Sequence, residues 1–165
     1  MQPNFRWIEA VYGAPKPERE NLTHIAVPDT ARLALQEMAS DLVGTDGLVA
    51  LYVPVGTEDV YSPGAKRGRI ICAVQLVAMP PDKKVEDYFY NDWDGSRRWP
   101  IGWPARLIYS PPIAECPILR EHVETLFGSG SFSSYTARFQ HGPFELEPAM
   151  RERLNADFGQ FTRLA

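Results

Sequence analysis

Apolar residues along this chain fall into two spacings, and each spacing predicts a different kind of element. From Asp29 to Val43 the set Ala31, Ala34, Leu35, Met38 and Leu42 recurs at steps of three and four, which predicts a helix with Asp29 as its N-cap and Gly44 just past its end. The same spacing returns from Pro148 in Met150, Leu154, Phe158 and Phe161 and predicts a further helix. A shorter one opens at Pro117, with Ile118, Val123, Leu126 and Phe127 facing inward and Gly128 as its stop. Elsewhere the period tightens toward two. F-R-W-I-E-A-V-Y-G sets Phe5, Trp7 and Ala10 or Val11 against polar neighbours, a half-buried strand that ends at Gly13. L-V-A-L-Y-V-P-V from Leu48 and R-G-R-I-I-C-A-V-Q-L-V-A-M up to Met79 are too apolar for a one-sided sheet, so they predict paired central strands. W-P-A-R-L-I-Y-S predicts another strand, exposing Arg106 and closed by Pro111 and Pro112. G-S-G-S-F-S-S-Y-T-A-R-F reads as a small-residue loop running into a strand.

Strands clustered in the middle of the chain, rather than alternating with helices, predict an α+β fold with a mixed, strongly curved sheet. The 165 residues suit one domain over 1–165, and 44% apolar with 23% charged residues is enough to build a core without disulfides or metal. The 15 prolines shorten the elements and fix their connections. A net charge of −4 argues against non-specific coating of nucleic acid, which depends on Lys and Arg neutralising phosphates, but it leaves room for a local basic patch. Cys72 and Cys116 read as buried thiols in a reducing compartment. With neither a cationic apolar leader nor a membrane-length apolar run, the expected location is cytoplasmic.

Three segments occur in order: L-V-A-L-Y-V before a turn, R-G-R-I-I-C-A-V-Q-L-V after it, and W-P-A-R-L-I-Y-S-P-P-I-A-E-C-P-I-L leading into a helix. Together they resemble the EVE domain of the PUA-like superfamily. The opening R-W-I-E-A-V-Y-G-A-P resembles that family's first strand, and H-I-A-V-P-D-T-A-R-L-A-L-Q-E-M its first pocket loop and helix, so the likeness covers most of the chain. It implies a PUA-like, strongly curved β barrel with flanking helices that takes a modified base of DNA or RNA into an aromatic-walled pocket. Carried over by position, it implies ligand contacts at Val27, Asp29 and Trp103. Where the family shows an Arg-Asn pair with an aromatic residue before the helix, this chain has V-P-D.

The chemistry-bearing residues concentrate in D-Y-F-Y-N-D-W-D-G-S-R-R-W-P-I-G-W-P, from Asp87 to Pro104. Trp93, Trp99 and Trp103 could stack a flipped base, at about 1 to 3 kcal/mol for each real contact. The commoner use of such rings is to pack a long loop onto the core. Arg97 and Arg98, with Lys66, Arg67 and Arg69 across the preceding turn, could hold flanking phosphates or simply form a solvated edge. G-S-G-S-F-S-S with Arg138 nearby offers backbone N–H groups for an anion, although it lacks a nucleotide P-loop's G-K-[ST] ending.

His24, His122 and His141 show no metal-ligand spacing with one another or with the cysteines, and neither a G-x-S-x-G elbow nor an H-E-x-x-H pair is present. The residues therefore nominate no catalytic group, metal or cofactor. The leading expectation is a base-reading binding module. Two alternatives stand beside it: a small enzyme acting on a nucleotide-like substrate with Asp29 or Glu115 as base, and a protein-interaction domain that docks through its aromatic loop.

Overall fold

The computed structural model describes residues 2–11, 19–56, 64–92 and 94–164. Within them six strands form one mixed sheet: β1 (Phe5–Ala10), β2 (His24–Val27), β3 (Leu48–Tyr52), β4 (Ile70–Leu76), β5 (Ile101–Tyr109) and β6 (Phe144–Glu145). Four helices accompany it: α1 (Arg32–Leu42), α2 (Leu119–Phe127), α3 (Phe132–Ala137) and α4 (Pro148–Phe158). None of them is long and apolar enough to cross a membrane.

The sheet order is β2-β5-β4-β3-β1-β6, with β1 and β3 parallel and every other pair antiparallel. The α+β class expected from the sequence is present, but the strongly curved PUA-like barrel is not. Closure would require the outer strands to pair with each other. Here the outer strands are β2, with four residues, and β6, with two, and they lie at opposite edges of a sheet that is neither closed nor strongly curled.

Both faces of the open sheet are covered, which is why its central strands are apolar throughout. One face carries Trp7, Val49, Leu51, Cys72, Val74 and Ile101 and packs beneath Leu35, Met38 and Leu42 of α1. The other carries Phe5, Ile8, Ala50, Tyr52, Ala73 and Tyr109 and packs against Leu119 and Val123 of α2, Tyr135 of α3, and Met150, Leu154 and Phe158 of α4. Each such aliphatic or aromatic side chain contributes roughly 1.5 to 3 kcal/mol when fully buried. Cys72 and Cys116 are buried free thiols, and burial pushes the Cys72 thiol up to about 12.

Several local expectations shift. G-S-G-S-F-S-S-Y-T-A-R-F forms helix α3 rather than a strand, because Tyr135 is drawn into the core and Ser131 lends its carbonyl to the Tyr135 N–H. Asp29 does not cap α1; Pro28 precedes a 3-10 turn over Asp29–Ala31, and the Asp29 carboxylate reaches Arg32 at 2.9 Å instead. Phe127, expected inside, is 42% exposed at the last turn of α2.

The aromatic segment folds back over the β2–β5 pair. His24 Nε2 donates to the Phe89 carbonyl at 3.0 Å, and the His24 ring stacks on Tyr90 at 4.1 Å with 14° between planes. The Tyr90 hydroxyl donates to the His24 carbonyl at 2.9 Å, and Tyr90 bridges Trp99. Beneath them is Gly102, where an added Cβ would meet the carbonyl oxygens of Ile25 and Tyr88, each at 2.1 Å. Only a residue without a side chain lets the segment approach this closely. Gly102→Ala is therefore expected to cost about 2 to 3 kcal/mol, read as a lowered urea midpoint. An unchanged midpoint would show that the segment is not seated as described.

Candidate functional site

A cavity of about 380 Å3 opens beyond the C-terminal ends of the parallel strands β1 and β3. That volume lies at the small end of the range for ligand pockets, about 300 to 1,000 Å3. Five stretches of chain supply its walls. Glu9 and Ala10 come from the end of β1; Tyr52, Pro54, Val55 and Gly56 from β3 and the residues after it. Pro28, Thr30 and Ala31 come from the turn into α1, and Trp99 from the aromatic segment. Phe132, Thr136, Phe139, Gln140 and Gly142 come from α3 and the 3-10 turn after it. Gly142 adopts φ +95°, and a Cβ there would lie 2.6 Å from that of Ala31, so the α3 segment and the turn into α1 touch along one side of the cavity.

Among the described residues four aromatic side chains, those of Tyr52, Trp99, Phe132 and Phe139, line this space together with Glu9. Glu9 is 4% exposed, and its Oε2 is buried with no hydrogen-bond partner. Among the described residues no Lys, Arg or His belongs to the cavity wall. A carboxyl group so placed can lower its energy only by keeping its proton. Burial accordingly pushes Glu9 from 4.5 up to about 8, with the Ala10 backbone offsetting part of the rise. At neutral pH the group is a carboxylic acid, one O–H donor beside one acceptor oxygen. An orphaned buried oxygen costs about 1 to 3 kcal/mol, which a ligand that bonds it would recover. Tyr52, the other ionisable group on the wall, is held above its ordinary value by burial and engages the Val55 backbone.

The residues expected from the sequence separate on this geometry. Trp99 is on the wall, 6% exposed, seated on Ala26 and Tyr90. Trp103 is not; it packs against the α1-side core and donates from Nε1 to the Val77 carbonyl at 2.8 Å. Trp93 lies outside the described residues. Val27 is wholly buried in the core, and Asp29 turns outward beside the cavity, its carboxylate on Arg32, which also meets Glu86 at 3.1 Å.

The basic residues are similarly divided. Arg97 is exposed, with its guanidinium 3.8 Å above the Phe89 ring. Arg98 approaches Asp92 at 3.5 Å and lies over the Trp99 ring at 5.3 Å. Arg67 follows the 3-10 turn over Gly64–Lys66, and its backbone N–H bonds the Gly64 carbonyl. Arg69 is spent on structure, donating to the Cys116 carbonyl at 2.8 Å. Arg138 pairs with Glu147 and covers the Phe144 ring, so a carboxylate already occupies the anion position imagined beside the G-S-G-S-F-S-S loop. Glu115 is exposed beside a different cavity and, like Asp29, is no part of this one. Among the described residues no group of three His, Cys, Asp or Glu is placed to hold a metal ion.

Sequence reasoning missed Glu9, although a signal existed. Strict alternation from Trp7 puts Glu9 on the same inward face. Compared with known proteins, the chain matches no family model, no curated protein and no solved structure.

Burial of Glu9 has a consequence for stability, and its sign follows from proton counts. The folded chain keeps a proton that the unfolded chain releases, so this contribution is complete below about pH 4.5 and is lost as pH rises toward 8. The slope is about 1.4 kcal/mol per pH unit across that window. Glu9→Gln removes it, so the variant should gain on the wild type by about 4 kcal/mol between pH 5 and pH 8 in denaturant titrations. Parallel profiles for the two proteins would contradict a buried, proton-holding carboxyl group.

Proposed function

We propose that the chain is a binding module that accepts one planar heterocycle, a modified base of DNA or RNA, between the aromatic walls of this cavity. The observation that carries the reading is an unpartnered, buried carboxyl oxygen on Glu9, a residue that lines the same cavity as Trp99, Tyr52, Phe132 and Phe139. Ring faces take a base by stacking, and a buried polar atom takes its edge, the two contacts that repay the cost of drawing a base out of its stack. Arg98 over Trp99 and the exposed Arg97 stand next to the wall in sequence, where they suit phosphates on either side of an extruded nucleotide. The resemblance to EVE-type readers points toward the same ligand class, even though the open sheet departs from their barrel. Asp29 and Glu115, the bases that the competing enzyme reading nominates, are not among the residues lining this cavity.

A panel of single- and double-stranded DNA and RNA oligonucleotides, each with and without a modified base, tests this. Binding by fluorescence anisotropy should favour particular modified strands and weaken as salt rises. Trp99→Ala should cost about 1 to 3 kcal/mol of that affinity while leaving the far-UV circular dichroism in place. Trp103→Ala should act through stability instead, because its indole is tied to Val77. Equal affinity across the whole panel would overturn the base-reading function.

A further inference from the structure

Among the described residues the cavity wall combines four aromatic side chains, one carboxyl group and no basic side chain. Resting on the base-binding function proposed above, we propose that Glu9 reads the ligand's hydrogen-bonding edge by giving one proton and accepting another, so the site selects a neutral ring carrying an N–H donor beside a carbonyl or ring-nitrogen acceptor, with its modification elsewhere on the ring.

A carboxylic acid pairs through O–H and C=O with a lactam or amidine edge, and both of its oxygens are satisfied at once. A carboxylate instead asks for two donors, ideally on a cation. Which form Glu9 presents depends on the charges around it. Among the described residues of β1 and β3 the other ionisable group at the cavity is Tyr52, whose hydroxyl burial keeps neutral. On the turn into α1, Asp29 and Arg32 pair with each other. Arg98, beside Trp99, approaches Asp92, and Arg138, after α3, pairs with Glu147. His141, next to Gly142, is exposed. Each of these basic groups stands outside the cavity wall, so none compensates an ionised Glu9 within it. An anionic ligand group such as phosphate meets no partner there either. The ring enters the cavity and the phosphates stay outside.

A modification placed on the paired edge would block this contact, which divides modified bases into two classes. Those that keep an N–H beside an acceptor can enter. Those methylated on the edge nitrogen cannot.

The test uses nucleosides, so that it does not depend on knowing the modification. Adenosine and cytidine, which neither gain nor lose a proton between pH 6.5 and pH 9.5, are each compared with the counterpart dimethylated on the exocyclic amine, and benzamidinium serves as a two-donor cation. Binding is followed by ligand-observed NMR at pH 6.5 and pH 9.5 for wild type, Glu9→Gln and Glu9→Leu. The expected result has three parts. At least one unblocked nucleoside binds and its edge-methylated counterpart binds at least tenfold more weakly; wild-type affinity falls at least tenfold at the higher pH; and Glu9→Gln, which keeps a donor and an acceptor without titrating, shows a flat profile while Glu9→Leu loses at least tenfold. Preference for benzamidinium, tighter at pH 9.5 and abolished in Glu9→Gln, would overturn the inference and leave the pocket's role as a ring binder intact. Equal binding of blocked and unblocked rings would also overturn it. If no ring binds and the oligonucleotide panel is flat as well, both proposals fall together.

Discussion

The constraint on which the site depends is the removal of one carboxyl group from water without a cation among the described residues to receive it. Ionised, Glu9 would carry a charge into a wall of rings, and the desolvation penalty exceeds anything the neighbouring backbone returns. Neutral, it is a compact donor and acceptor held at a fixed place by β1, whose pairing with β3 sets Glu9 opposite Leu51. A lone surface carboxylate would have an exposed side chain's freedom and water for partners. This one has neither, which makes it a recognition element rather than a solubilising charge.

The scaffold explains how residues far apart in sequence reach that carboxyl group. Both faces of the sheet are covered by helices, and the cavity opens at an end of the sheet, where the parallel pair β1 and β3 stops. Close approaches then bring the walls in. At Gly102 the backbone of the aromatic segment lies directly on β5, and the His24 and Tyr90 stack fixes the segment that delivers Trp99. At Gly142 the end of the α3 segment meets Ala31, bringing Phe132 and Phe139 opposite Trp99 and the turn into α1. Trp99, which lines the cavity, is thus held by its bridge to Tyr90, while Trp103, four residues on, is an ordinary structural indole.

Much of this was legible in the residues. The period of α1, the continuous apolar runs of β3 and β4, and the position of β5 follow from patterning alone, because a sheet covered on both faces needs apolar residues throughout. Strand order did not follow. Nothing in a periodic run says which edge it pairs with, and the expected barrel gave way to an open sheet because β2 and β6 sit at opposite edges. Those two strands are also too short to show an alternation, and α3, built from Ser, Tyr and Thr, is helical through packing rather than propensity. In the site, Trp99 was legible as one of three candidates. Glu9 was hidden by a sound prior, since glutamate is almost never fully buried unless paired, although its place two residues after Trp7 already pointed inward.

The most direct measurement of the account is the titration of the Glu9 side-chain carboxyl by carbon-detected NMR on the isotope-labelled protein. The account predicts a midpoint near 8, far above the ordinary value of 4.5, with the resonance of a protonated acid through neutral pH. A midpoint near 4.5 would mean that water or a cation reaches the group, and the neutral reading edge would not exist.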